Sequence, residues 1–116
     1  MAFAYSKLAE AIALQSTATD IIDSASGTKY IRSIVIHNVN TTAETVSLYA
    51  VPDSSSTKGT ASDTANRFYY ENLPAGSTRI IEFPIPGMML TDAHDSIQGK
   101  CTTNSKVLAW AYGGAE

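Results

Sequence analysis

A single cysteine, Cys101, stands in 116 residues, so no disulfide can form within the chain and no cysteine-built zinc site can be completed from it. The fold must stand on packing. Charge is also scarce: 16% of residues are charged, against about a quarter in ordinary domains. Eight basic and eleven acidic side chains give a formal net charge of -3, and the basic residues are scattered. This argues against a surface that tracks nucleic-acid phosphates. No window approaches the ~18 to 20 apolar residues needed to cross a bilayer. The segment Met1 to Glu10 lacks a basic leader, and Lys7 and Glu10 interrupt its hydrophobicity. It is expected to be retained, in a soluble chain folded in a reducing compartment, without nucleic-acid or membrane partners. No helical period is evident after residue 18, and no internal repeat.

What is present is strand grammar. Tyr30-Ile31-Arg32-Ser33-Ile34-Val35-Ile36-His37-Asn38 and Thr45-Val46-Ser47-Leu48-Tyr49-Ala50-Val51 alternate on either side of a polar turn, which reads as a β-hairpin. In the first strand both faces carry aliphatic residues, which predicts a central place in a sheet. The second is one-sided: Val46, Leu48 and Ala50 belong to the core, whereas Thr45, Ser47 and Tyr49 look outward. Thr19 to Ser24 reads as a short strand. Further strands are expected at Arg67 to Asn72, Ser77 to Phe83, Ser96 to Cys101 and Lys106 to Tyr112, with Met88 to Leu90 as a short apolar piece. Pro84 and Pro86 stop the second of these, because proline cannot donate to a central ladder.

About seven or eight short strands at such spacing predict an all-β fold, a single antiparallel β-sandwich of jelly-roll or immunoglobulin-like type over 19–116. Residues 1–18, rich in alanine, fit an N-terminal arm or a short helix. From Pro52 to Asn66 no large apolar residue offers an anchor, and the composition suggests a long loop that gains order on binding.

The chemistry-bearing residues form no reaction centre. Neither His37 nor His94 lies in a nucleophile motif such as G-x-S-x-G, so no catalytic residue is assigned and the chain is expected not to be an enzyme. Asp92, His94 and Asp95 are the tightest set of potential ligands, but they are too few for a calcium loop or a zinc site. Turn capping accounts for them better, and no metal or cofactor is expected. Cys101 reads as a buried small hydrophobe. Phe68, Tyr69 and Tyr70 cannot all enter one core, so at least one must face outward. Large amphipathic rings favour interfaces, which makes Tyr49, Tyr69, Trp110 and Tyr112 candidate contact residues. Phe3, Tyr5 and Leu8 join them if the arm makes contacts. A carbohydrate-binding module is the rival from another class, with Trp110 and the Asp92 to Asp95 corner as its features.

The strand from Lys29 to Asn38, the strand from Thr45 to Pro52, Leu73-Pro74-Ala75-Gly76-Ser77, Met89-Leu90 before an acidic corner, Asp95-Ser96-Ile97 and the closing Gly113-Gly114-Ala115-Glu116 together resemble small virion proteins of tailed bacteriophages. The resemblance spans residues 28–116. It departs at His94, where that family usually has glycine. It implies a β-sandwich that decorates or cements a capsid, or one that sits at the neck, the tail or a head-fibre attachment. The implied partners are the major capsid protein or other virion proteins, and the implied assembly is a homo-oligomer, most simply a trimer. The implied location is the virion, assembled in the host cytoplasm.

Overall fold

The computed structural model describes residues 4–84 and 87–115, with side chains from residue 6 onward in the first strand. Nine strands run through these residues: β1 (Ala4–Ala13), β2 (Thr19–Asp23), β3 (Lys29–Asn38), β4 (Glu44–Val51), β5 (Arg67–Leu73), β6 (Thr78–Glu82), β7 (Met88–Leu90), β8 (Ser96–Lys100) and β9 (Val107–Ala115). They form two antiparallel sheets, one ordered β1-β9-β3-β6 with β7 also on β3, the other ordered β2-β8-β4-β5. β6 and β7 lie antiparallel to β3 and meet successive parts of it, residues 33–37 and 29–31. They act as one strand interrupted at Pro84. Counted so, the pairs β1·β9, β2·β8, β3·β6/β7 and β4·β5 nest inside one another, and β3·β9 and β4·β8 close the wrap. That nesting is the jelly roll, and it decides between the two sandwich types left open by the strand count.

The core lies between the sheets. Leu14, Ile31, Ile34, Ile36, Val46, Leu48, Leu73, Ile97 and Val107 are fully buried there. Gly99 leaves room for them: a Cβ would sit 3.0 Å from Leu48 and 3.2 Å from Ile21 and Leu14. Where β5 and β6 face each other across the open side, Phe68 stacks on Phe83 with centroids 5.9 Å apart. Tyr69 donates its hydroxyl to Glu71, and Glu71 pairs with Arg79 at 3.0 Å.

β-Bulges explain where simple alternation fails. The β3–β9 register slips between Ile31 and Ser33, leaving Arg32 as an extra residue, so Ile31 and Ile34 both turn inward. Opposite the slip, Gly113 lies so close to β3 that a Cβ would fall 1.8 Å from the Tyr30 carbonyl oxygen. Similar slips lie in β2, between Asp20 and Ile22, and in β5, opposite Leu48 and Tyr49. They let Ile21 and Ile22, and likewise Phe68 and Tyr69, face the core as neighbours.

The hairpin expected over Tyr30 to Val51 is not formed: β3 lies in one sheet and β4 in the other, so the polar turn between them carries the chain across the sandwich. Two further expectations need correction. Residues 4–13 form neither a helix nor a free arm: they pair with β9 as an edge strand of the sheet, slipped twice, with Ala11 at φ 50°. Alternation is hidden there because those bulges break the period. Second, the loop over 52–66 is anchored without large apolar residues. The Asp53 amide donates to Asp95 (2.8 Å), Lys58 pairs with Asp20 and Asp23, and Asn66 both accepts from the Ser62 amide (2.8 Å) and donates to the Thr60 carbonyl (3.1 Å). Polar bonds supply the anchorage that apolar burial does not.

Candidate functional site

The outer faces of the two sheets differ in chemistry. On the β1-β9-β3-β6 sheet, residues Leu108, Trp110 and Tyr112 of β9 point outward, while Val107, Ala109 and Ala111 are buried. Val35 pairs with Trp110 on one side and with Ile80 on the other. Ile80, Val35 and Trp110 therefore form an apolar row across three strands. Ile80 is 64% exposed and Tyr112 is 36% exposed. Around the row stand Ser33, which pairs with both Tyr112 and Glu82, and His37, whose Nδ1 lies 2.7 Å from the Thr78 hydroxyl. Lys7, itself opposite Tyr112, pairs with Glu10, and that pairing raises the Lys7 pKa. The result is an apolar strip with a polar border, the pattern of a contact surface.

The outer face of the β2-β8-β4-β5 sheet is roofed by the loop over 52–66. Cross-strand rows build its floor: Tyr70, Ser47 and Lys100 in one, Arg67, Tyr49 and Gln98 in the next. The Tyr49 hydroxyl donates to Asp63 at 2.6 Å, and Arg67 approaches the same carboxylate at 3.6 Å. The Tyr49 hydrogen bond, aided by the charges of Lys100 and Arg67, lowers the Asp63 pKa against slight desolvation, so this exposed carboxyl is ionised at neutral pH. The Arg67 guanidinium lies 4.4 Å from the centre of the Tyr70 ring. A groove of about 540 Å³ runs from Ser16 and Thr60 past Tyr49 to Lys100, and a second of about 360 Å³ runs on past Ser47, Tyr70 and Thr102. The two share Ser16, Asp63 and Lys100 and form one trough.

The candidate contact residues scatter. Trp110 and Tyr112 stand together on the apolar face. Tyr49 has the outward parity expected of it, but it is only 1% exposed because the loop covers it, and Ser47 beside it is also buried. The open outer face expected for β4 is thus corrected: it is the floor of a groove. Tyr69 packs against the core, and burial together with its bond to Glu71 raises its pKa. Leu8, at the first slip of β1, also packs against the core. Phe3 lies outside the described residues, as does the side chain of Tyr5. The outward ring of the aromatic run is Tyr70, 60% exposed, which parity alone left undecided.

At the acidic corner, Asp95 accepts from the Asp53 amide with one oxygen and from the Thr91 and Asp92 amides with the other, at 3.1 Å and 3.0 Å. Burial opposes its ionisation, but these three amides outweigh it and lower its pKa. Asp95 is a turn cap. Among the described residues, no group of three or more His, Cys, Asp or Glu side chains is placed to hold a metal ion. Cys101 is buried, which raises its thiol pKa with help from nearby Glu44. Compared with known proteins, the chain matches no family model, no curated sequence and no solved structure.

Proposed function

We propose that this chain is a non-enzymatic structural protein of a tailed-phage virion, a capsid decoration or cement protein that stabilises the head by bridging capsomers. The observation that carries the reading is the apolar row in which exposed Ile80 adjoins half-buried Val35 and Trp110, beside exposed Tyr112 and among polar neighbours on the outer sheet face. A surface of this kind gains by being covered, at roughly 25 cal/mol per Å² of apolar area removed from water. Repetition over a lattice lets a modest contact per copy suffice, because later contacts form at high effective concentration. The jelly roll agrees with such a role without requiring it, since one fold hosts many functions. The major capsid protein is the proposed partner, and a closed trimer at threefold positions the proposed assembly.

The test is whether the purified chain binds particles of the phage that encodes it and raises their melting temperature. Ile80→Lys is expected to leave the melting of the isolated chain unchanged and to abolish particle binding. Absence of binding and of stabilisation by the unaltered chain would refute the reading. Quantifying copies per particle separates a capsid position, in hundreds of copies, from one at the neck, the tail or a head-fibre attachment. The rival sugar-binding reading loses support where it was first placed, because Asp95 caps a turn and Trp110 belongs to the apolar row.

A further inference from the structure

The trough on the roofed sheet lies on the face opposite the apolar row, and three of its properties converge. The first is an available cation. Lys100 lines both parts of the trough, its ammonium 6.0 Å from the centre of the Tyr49 ring. Its charge is felt by Asp63, but no carboxylate of the described residues lies within 4.0 Å of it, so it makes no ion pair. Asp63 is already engaged by Tyr49 and Arg67. The charge left to meet a ligand is therefore positive. The second is a wall of hydroxyls, from Thr60 in the first part through Ser16, which both parts share, to Thr45 and Thr102 in the second. The third is the Tyr70 ring, mostly exposed beside the second part.

We infer that this trough binds an acidic saccharide, with Lys100 meeting a sugar carboxylate, the hydroxyl walls meeting sugar hydroxyls and Tyr70 lying against the face of one ring. Its size falls within the ~300–1,000 Å³ of ordinary ligand sites, and its two parts suit a chain of linked rings. A peptide added as a strand is a poor fit: β8 and β4 are each paired on both sides, so the floor presents side chains and not free backbone. A nucleic acid is also a poor fit, because Asp63 offsets Arg67 and a single remaining cation cannot follow a run of phosphates. The inference goes beyond the assembly role and uses the other face of the molecule.

Calorimetric titration of the intact chain with oligogalacturonate tests it, alongside a neutral malto-oligosaccharide of equal length, polyglutamate and oligothymidylate. Saturable binding to oligogalacturonate alone is expected. Lys100→Gln should weaken it about tenfold, the scale of one charge-assisted hydrogen bond. Tyr70→Ala should weaken it about fivefold through the lost ring contact. Thermal melting of both variants checks that they fold. Ile80→Lys should bind the sugar as the unaltered chain does, which keeps this result separate from particle binding. The inference is overturned by no binding to oligogalacturonate, by equal binding of the neutral sugar or polyglutamate, by binding that Lys100→Gln leaves intact, or by tighter binding of oligothymidylate.

Discussion

The two outer faces of this jelly roll are built from the same kind of strand, and they differ in what covers them. On the β1-β9-β3-β6 sheet no loop of the described residues folds over the strip, where Ile80 and Tyr112 are exposed beside half-buried Val35 and Trp110. On the β2-β8-β4-β5 sheet, the loop over 52–66 folds down onto Tyr49 and leaves a polar trough beside it. The first face offers apolar contact, whereas the second has depth, charge and hydrogen-bonding groups. A face of apolar side chains in a row suits a partner that is broad. One that is polar and concave suits a partner that is small or thin.

Perturbing each face in turn sharpens this contrast, and the largest effect belongs to the bare sheet. Gly113→Ala should cost about 3 kcal/mol in chemical denaturation, because a Cβ at that bulge meets the Tyr30 carbonyl and β9 must move off β3. Tolerance of that substitution would mean that the two strands are not held in this register. On the roofed side, Asp95→Ala should cost about 2 kcal/mol, since it strands three amides that the carboxylate satisfies. The folded pKa of Asp95 is lowered, so its stabilising effect is complete above the usual carboxylate range and fades as pH falls through the folded value. The unaltered chain should therefore lose stability on acidification below about pH 4, the ordinary carboxylate range, and the variant should lose less.

Tyr49→Phe should cost about 1 kcal/mol by removing the bond that ties the roof to the floor. Hydrogen exchange should rise in residues 59–66 and stay unchanged on the opposite face. The smallest effect has the opposite sign. Ala11→Gly should raise stability by about 0.5 kcal/mol, as glycine relieves the positive φ at the second bulge of β1. A lower melting temperature in that variant would show that Ala11 does not hold this conformation.

The strands β3 and β4 were legible because alternation and strand-forming residues agree there. Their expected pairing as a hairpin was wrong: a polar turn serves equally well to cross from one sheet to the other, and β3 and β4 lie in opposite sheets. β3 is central, as its two-sided apolar pattern predicts. Pairing order was not legible, since β1 meets β9 and β2 meets β8 across most of the chain. The bulges were hidden for the opposite reason: each shifts parity by one residue and erases the local signal that would reveal it. Adjacent large apolar residues are the trace that remains, at Ile21-Ile22 and Phe68-Tyr69. Tyr49 shows a further limit. Its parity is outward, but its burial is decided by a loop with no apolar residue large enough to announce a contact. The trough was missed for that reason too, because Lys100, Tyr70 and Asp63 come together only through the registers of β8, β4 and β5 and the descent of the loop.

The meeting of Ala4 with Ala115 at one end of the β1–β9 ladder has a mechanical consequence. Interstrand bonds in an antiparallel pair lie across the strands, so a force that draws these two residues apart acts along the bonds and opens them singly, like a zip. A force that slides β1 along β9 instead loads many bonds of the ladder together, in shear. The ladder is thus weak to tension that draws Ala4 from Ala115 and stronger to tension along its strands.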